Sequence, residues 1–357
     1  MTRPILITGG TGFIASYLAM ELLERNPEER VVLFDRDQDQ RRLTGFDGAQ
    51  GKKRYEAVKK RLTFVQGDLS LLPHVLALFD THEPKSVFHL GALLSAGAES
   101  NPTMGFQVDL NGSWNVFEAA RLYCQHRQTP PVRVLFPSTI ASFGGFVTLN
   151  DKGLVPNEAV QMPTTMYGVA KASVERLGEY YSAPSRGWID FRAVRFPSVV
   201  GAARGPGGTT VYSTLIFQEP FRDNPYHPYV AADTRLDVIY VKDAVAALLG
   251  LHDAAPASLK RRVYNIAGVR IDGKAPTAQD LADAVKAAKT TADIKFDRLN
   301  PQLNDTVKGF GVLDDTAARE DWEWGGAAYG LAKLATEFQN DVQSYPNRIK
   351  STELFGA

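Results

Sequence analysis

The chain has 357 residues, 44% hydrophobic and 22% charged, with 40 Lys+Arg against 40 Asp+Glu and a single cysteine. That length can bury one large core or two smaller ones, and the composition is that of a soluble globular protein. The charge balance leaves no global field for nucleic acid or an anionic membrane, and the lone Cys124 excludes an internal disulfide and fits a reducing, cytoplasmic setting.

In chain order, "PILIT" is an apolar run ended by glycines, too short to read as a signal peptide. "FIASYLAMELLER" follows with helical spacing, placing Ile14, Leu18 and Leu22 on one face. The turn between them reads Gly9-x-x-Gly12-x-x-Ala15. Glycine lets backbone amides approach a pyrophosphate, and the helix start at Phe13 and Ile14 brings partial positive charge to the same anion. Ala15 is small enough to let helix pack on strand.

"RVVLFD" then ends at Asp35, where a carboxylate can accept both ribose hydroxyls of an adenosine and repels a 2′-phosphate. NAD is therefore expected over NADP, although Arg36 next to it is the type of residue that holds that phosphate. The insert 38–61 carries eight Lys/Arg and reads as a solvated face, with contact to a cofactor phosphate as the alternative. After "LTFVQ", the segment "QGDL" puts Asp68 and Leu69 at the adenine edge, Asp68 doubling as a helix N-cap.

"KSVFHL", "VRVLFP" and "WIDFRAVRF" continue the strands, separated by helices notably at 105–126 and 167–182. "PSVVGAARGPGGTT" reads as a Gly-rich loop, followed by a helix near 211–219, the strand and helix of "RLDVIYVKDAVAALLGLH", the strand "RRVYNIAG", and helices near 277–289 and 328–341. Near-continuous apolar strands alternating with helices predict an α/β fold: a Rossmann-type doubly wound parallel sheet with a smaller interleaved C-terminal substrate lobe. The expected division is 1–197 plus about 228–268 for the dinucleotide domain, 198–227 and 269–345 for the lobe, and 346–357 as a tail. No window approaches the roughly 20 apolar residues of a membrane span.

Tyr-x-x-x-Lys occurs three times, at Tyr55/Lys59, Tyr167/Lys171 and Tyr329/Lys333. Ligands of an open α/β sheet sit at the carboxyl ends of strands. Only Tyr167 starts a helix that follows a strand, "VRVLFP", and "STIASFG". Lys171 lies one helical turn on, on the same face. A free phenol, pKa ~10, is a poor base; a neighbouring ammonium and a positive nicotinamide ring favour its ionised form. A hydroxyl from Ser138 or Thr139 can hold the substrate oxygen while Tyr167 takes the alcohol proton.

With "TGGTGFIA", "STIASFG" and "YGVAK" in order, residues 1 to about 340 resemble the extended short-chain dehydrogenase/reductase (NAD-dependent epimerase/dehydratase) superfamily. The chain is most similar to its short-chain-type L-threonine 3-dehydrogenases through "HLGALLSAGAESNP", "MPTTMYG", "GEYY", "PGGTT", "DTRL" and "LDDTAARED". The resemblance implies that the catalytic hydroxyl is Thr139, with Ser138 beside it on the cofactor side, and that Tyr167 and Lys171 are the Tyr-Lys pair. It implies that Leu90, Gly91 and Ala92 line the cofactor, Gly91 replacing the usual alanine, and that Phe196, Pro197 and Val199 form the nicotinamide side. Ser95, Thr139, Thr209 and Thr210 would border the substrate. The group's Asp-Ser-Trp-Pro segment is absent from "LNDTVKGFGVLDDTAARE", which changes a pocket wall. The implied reaction is NAD-dependent oxidation of a small 3-hydroxy amino acid or related hydroxy acid.

"ALLSAGAE" is also similar to erythronate-type sugar-acid dehydrogenases. Nucleotide-sugar epimerases and dehydratases share the fold and triad, but their diphosphate-gripping Arg is Leu236 here, with Arg235 one residue early. A non-catalytic NAD-binding regulator would tend to lose the Tyr or Lys, and both are present. The six His are scattered, which predicts no metal site, and no aromatic residues alternate with basic ones as a nucleic-acid groove needs. Helices 105–126 and 167–182 carry apolar residues on more than one face: Phe106, Val108, Trp114, Val116 and Phe117, then Val169, Val174 and Leu177. The family pairs these helices with their mates, which implies a homodimer.

Overall fold

The structure, a computed structural model, describes residues 3–37, 39, 41–44, 49–145, 147–205 and 208–344. The expected tail 346–357 lies outside them.

Alternating strands and helices appear in the expected order: β1 (Ile5–Thr8), α1 (Phe13–Arg25), β2 (Val31–Asp35), α2 (Arg41–Thr44), α3 (Ala49–Val58), β3 (Leu62–Gln66), α4 (Leu72–His82) and β4 (Ser86–His89). Short helices α5 (Ser95–Ser100) and α6 (Pro102–Gly105) then lead through a π-helical turn, Phe106–Asn111, into α7 (Gly112–Arg127). β5 (Arg133–Thr139), α8 (Met166–Ser182) and β6 (Asp190–Phe196) complete the first part. β7 (Ser198–Val200), α9 (Tyr212–Phe221), β8 (Val238–Tyr240), α10 (Val241–Asp253) and β9 (Val263–Asn265) follow, and α11 (Ala278–Ala288), α12 (Pro301–Lys308), α13 (Thr316–Trp322) and α14 (Leu331–Ser344) end the described chain.

Seven strands form one parallel sheet in the order β3-β2-β1-β4-β5-β6-β9. Side chains alternate between its faces. Ile5, Ile7, Val31 and Leu33 join one buried cluster with Leu18 and Phe88, while Leu6, Val32 and Phe34 join another with Phe117, Phe136 and Phe191. Both faces are therefore covered, as the near-continuous apolar strands require. The first cluster runs on through Phe217, Leu281 and Phe338, where α9, α11 and α14 pack together. Strand order reverses between β1 and β4, so the crevice for a ligand opens at their carboxyl ends.

Two features depart from expectation. Ser198–Val200, read as part of a Gly-rich loop, is a strand paired in parallel with β8. Asp68 does not cap a helix, because α4 starts only at Leu72; its carboxylate closes a turn by accepting the amide (2.8 Å) and hydroxyl (2.7 Å) of Ser70. No described helix is long and apolar enough to cross a membrane.

Candidate active site

Strand ends build the crevice. After β1, Gly9 adopts φ +65°, and a Cβ there would lie 2.7 Å from the Gly91 backbone, so the turn closes only with glycine. A Cβ at Gly12 would lie 2.8 Å from the Gly9 carbonyl oxygen. The first amides of α1, at Phe13 and Ile14, have no intrahelical acceptor, and no acidic side chain sits in that turn. At the end of β2, Asp35 accepts the amide (3.1 Å) and hydroxyl (2.8 Å) of Thr11, tying the carboxylate to the loop, with Arg36 exposed beside it. A cradle that side chains would fill, open helix amides and a carboxylate at the second strand end fit a dinucleotide. From the basic insert, Arg42 reaches back to the carbonyls of Thr11 (3.3 Å) and Ala203 (3.1 Å).

Beyond β4, the amides of Leu90 (3.2 Å) and Gly91 (3.3 Å) donate to the carbonyl and hydroxyl of Thr8, and the half-buried Ala92 follows. A Cβ at Gly91 would lie 2.3 Å from Cδ1 of the buried Leu69, so a larger residue here requires that side chain to shift. His89 is buried between the hydroxyls of Thr8 (2.7 Å) and Ser113 (2.8 Å). Burial and then Lys171 pull it down to about 3, so it stays neutral.

Thr165 caps α8 by accepting the Gly168 amide at 3.1 Å, which puts Tyr167 in the first turn. Lys171, 4% exposed, donates to the Pro137 carbonyl at 2.8 Å and lies 4.3 Å above the Phe136 ring and 5.6 Å from the Tyr167 ring. Burial pulls its pKa down to about 8, against the pull of Asp109 and Glu175. Thr139 ends β5, and its hydroxyl oxygen accepts the Ala141 amide at 3.2 Å.

Burial pushes the Tyr167 phenol above its ordinary value and Asp109 adds to this, while Arg204 and the hydroxyl of Thr139 pull it down. The cation expected to lower it was Lys171. Arg204 is the cation that lowers it here, while the Lys171 ammonium donates to the Pro137 carbonyl and lies over the Phe136 face. Asp109, buried in the π-helical turn, accepts the Leu93 amide at 2.6 Å, and its second oxygen has no partner among the described residues. Burial raises it to about 6, opposed by Lys171.

Ser138 and Thr139 point to opposite faces of β5, as neighbours on a strand must. Ser138 donates at 2.5 Å to Glu175, which also takes the Arg195 guanidinium at 2.7 Å and the Gln161 amide at 2.8 Å. Its hydroxyl is thus engaged in a buried network. Phe196 is buried at the end of β6, and Pro197 and Val199 follow it into β7.

On the substrate side, Ser95 opens α5. The Thr210 hydroxyl accepts from Ser198 at 2.9 Å and from Arg204 at 3.3 Å, while Thr209 offers its carbonyl to the Tyr229 hydroxyl at 2.7 Å. Sequence reasoning passed over Arg204, Asp109 and Arg42. The signals were a lone Arg in a Gly-rich loop, an acid inside an apolar helix, and a base in a run of bases. Of the other Tyr-Lys pairs, Tyr55 packs at the edge of the core and Tyr329 lies against Tyr240 with Lys333 on its ring. Leu236 is buried, and Arg235 donates to the Ala275 carbonyl at 2.6 Å. A groove of about 1010 Å³ lies along the other side of α8, at Ala172 and Arg176; it is lined by none of Tyr167, Lys171 and Thr139.

The profile of the NAD dependent epimerase/dehydratase family matches residues 5–267. A mitochondrial L-threonine 3-dehydrogenase of Bos taurus is 30% identical over 338 residues, 94% of this chain and 82% of that protein. Among solved structures, the holo form of a GalE-like L-threonine dehydrogenase from Cupriavidus necator superposes with a TM-score of 0.80 at 28% identity, covering 95% of this chain and 99% of that one. The L-threonine dehydrogenase of Clostridium difficile gives 0.79 at 27%, covering 96% and 99%.

Proposed function

Because the chain belongs to the NAD-dependent epimerase/dehydratase family, whose cofactor is of the NAD(H) type, we propose that it is a dehydrogenase of the L-threonine 3-dehydrogenase kind. It oxidises the hydroxyl of a small 3-hydroxy amino acid or related hydroxy acid. The observation that carries this reading is the meeting of Tyr167, Thr139 and Lys171 at the carboxyl end of β5.

Thr139 orients the substrate hydroxyl, and Tyr167 accepts its proton. Arg204 supplies the cation that lowers the phenol, so that the phenolate becomes attainable, and Lys171 keeps an ammonium 5.6 Å from its ring. A bound nicotinamide dinucleotide supplies the acceptor for the hydride. Asp35 favours NAD over NADP by charge. The epimerase reading lacks its arginine, since Arg235 is turned to Ala275.

The proposal includes a substrate lobe at 198–227 and 269–345, a cytoplasmic setting consistent with the lone buried Cys124, and a homodimer. For the dimer the support is the exposure of Phe106, Trp114, Val169 and Tyr180, whereas Val116, Phe117 and Val174 serve the core of their own chain. Tyr167→Phe tests the chemistry. It should lower kcat at least ~100-fold across a panel of L-threonine, L-serine, 3-hydroxy acids and erythronate, with NAD⁺ affinity unchanged. Tyr55→Phe and Tyr329→Phe should leave the rate near that of the wild type. Equal turnover in Tyr167→Phe refutes the assigned base.

A further inference from the structure

We propose that Arg204 receives a carboxylate of the substrate, flanked by the hydroxyls of Ser95 and Thr210. This rests on the hydroxy-acid reading above and adds the group that selects the acid.

Three other arginines within the fold each hold a carboxylate: Arg192 with Asp190 (2.8 Å), Arg195 with Glu175 (2.7 Å) and Arg270 with Asp237 (2.7 Å). Arg204 has no acidic partner among the described residues. Its contacts are three long bonds to neutral hydroxyls: Ser198 at 3.2 Å, Thr214 at 3.3 Å and Thr210 at 3.3 Å. A guanidinium carries five donors in a planar fork suited to two carboxylate oxygens. Removing it from water without an anion is unfavourable, and burial accordingly draws Arg204 down to about 10.

The fork is also in the right place. Arg204 follows β7 at the carboxyl end of a strand and is electrostatically coupled to the Tyr167 hydroxyl. A Cβ at Gly208 would lie 3.5 Å from Arg204 Nη2 and 3.6 Å from Ser95 Oγ. The cation and the hydroxyl therefore converge on the side of Gly208 that a side chain would fill. An acid bound there places its hydroxyl carbon toward the phenol, and a neutral alcohol forgoes the charged contact.

The test is calorimetric titration of 3-hydroxypropanoate and of neutral 3-hydroxypropanamide into the NADH-loaded protein, where no turnover occurs. Arg204→Met should weaken the anion at least ~30-fold, the worth of a charge-assisted bond, and move the amide less than about twofold. Arg204→Lys retains the charge but loses the fork; it should weaken the anion about tenfold and guards against a folding defect in the first variant. Unchanged anion affinity, an equal loss for both ligands, or no anion binding to the wild type overturns the assignment. If the wild type oxidises no hydroxy acid yet binds the anion through Arg204, the proposed reaction falls and the receptor stands. If it turns over hydroxy acids with unaltered kcat/KM in both variants, the receptor falls alone.

Discussion

Replacing Lys171 by methionine separates what this side chain costs the fold from what it gives the chemistry. Burial lowers Lys171 from 10.5 to about 8. At ~1.36 kcal/mol per pKa unit, the buried ammonium weighs against the folded state by about 3 kcal/mol at pH 7. Methionine removes that penalty at similar length. One loss offsets the gain, because the attraction of Asp109 is already contained in the value of about 8. The bond to the Pro137 carbonyl is worth ~1 kcal/mol. The balance is a stabilisation of about 2 kcal/mol at neutral pH.

Because the folded pKa of Lys171 lies below the unfolded value, the unfolded chain binds more protons between pH 8 and 10.5, and wild-type stability rises with pH across that window. The advantage of Lys171→Met is therefore full below pH 8, shrinks above it, and becomes a loss of ~1 kcal/mol past pH 10.5, where only the missing hydrogen bond remains. Urea-unfolding midpoints of the two proteins at pH 7 and pH 10.5 check this, alongside a turnover assay in which the variant should be inactive. A variant as destabilised at pH 7 as at pH 10.5 would show that burial does not penalise the ammonium and would refute the reasoning.

Two further substitutions probe neighbouring positions. Asp109→Asn removes the charge that raises both Tyr167 and Lys171, so the acidic limb of the kcat/KM profile should move to lower pH; a shift toward higher pH contradicts the coupling. Gly9→Ala places a Cβ 2.7 Å from the Gly91 backbone at φ +65°, and should lower the thermal midpoint and weaken NAD⁺ at least ~tenfold by fluorescence titration. Gly97→Ala, with nothing within 4 Å of the new Cβ, is its control and should be tolerated or mildly stabilising.

β1, β2 and β4 were legible because both their faces are buried and they read as apolar runs, whereas β3 is half-buried and β6 carries Arg192 and Arg195 among its apolar residues. The glycine turn and the helix starting near Tyr167 were legible because backbone geometry restricts the residues allowed there. β7 was not, since three residues between a proline and a glycine-rich stretch give no period to read, and its pairing with β8 joins segments far apart in sequence. Choosing between Ser138 and Thr139 needed the strand's facing, which Glu175 and Arg195 reveal only by taking Ser138 into the interior. Arg204 and Asp109 owe their properties to what surrounds them rather than to what flanks them. That Lys171 meets Pro137 and Phe136 was hidden for the same reason, because both come from another element.

Arg42 has a consequence for how the two sides of the crevice behave. Its guanidinium grips Thr11, in the loop that would cradle the pyrophosphate, and Ala203, which holds φ +70° one residue before Arg204. Drawing either carbonyl away stretches a bond to the same planar group. The glycine turn and the segment before Arg204 thus share one guanidinium, so that displacing either carbonyl strains the contact to the other.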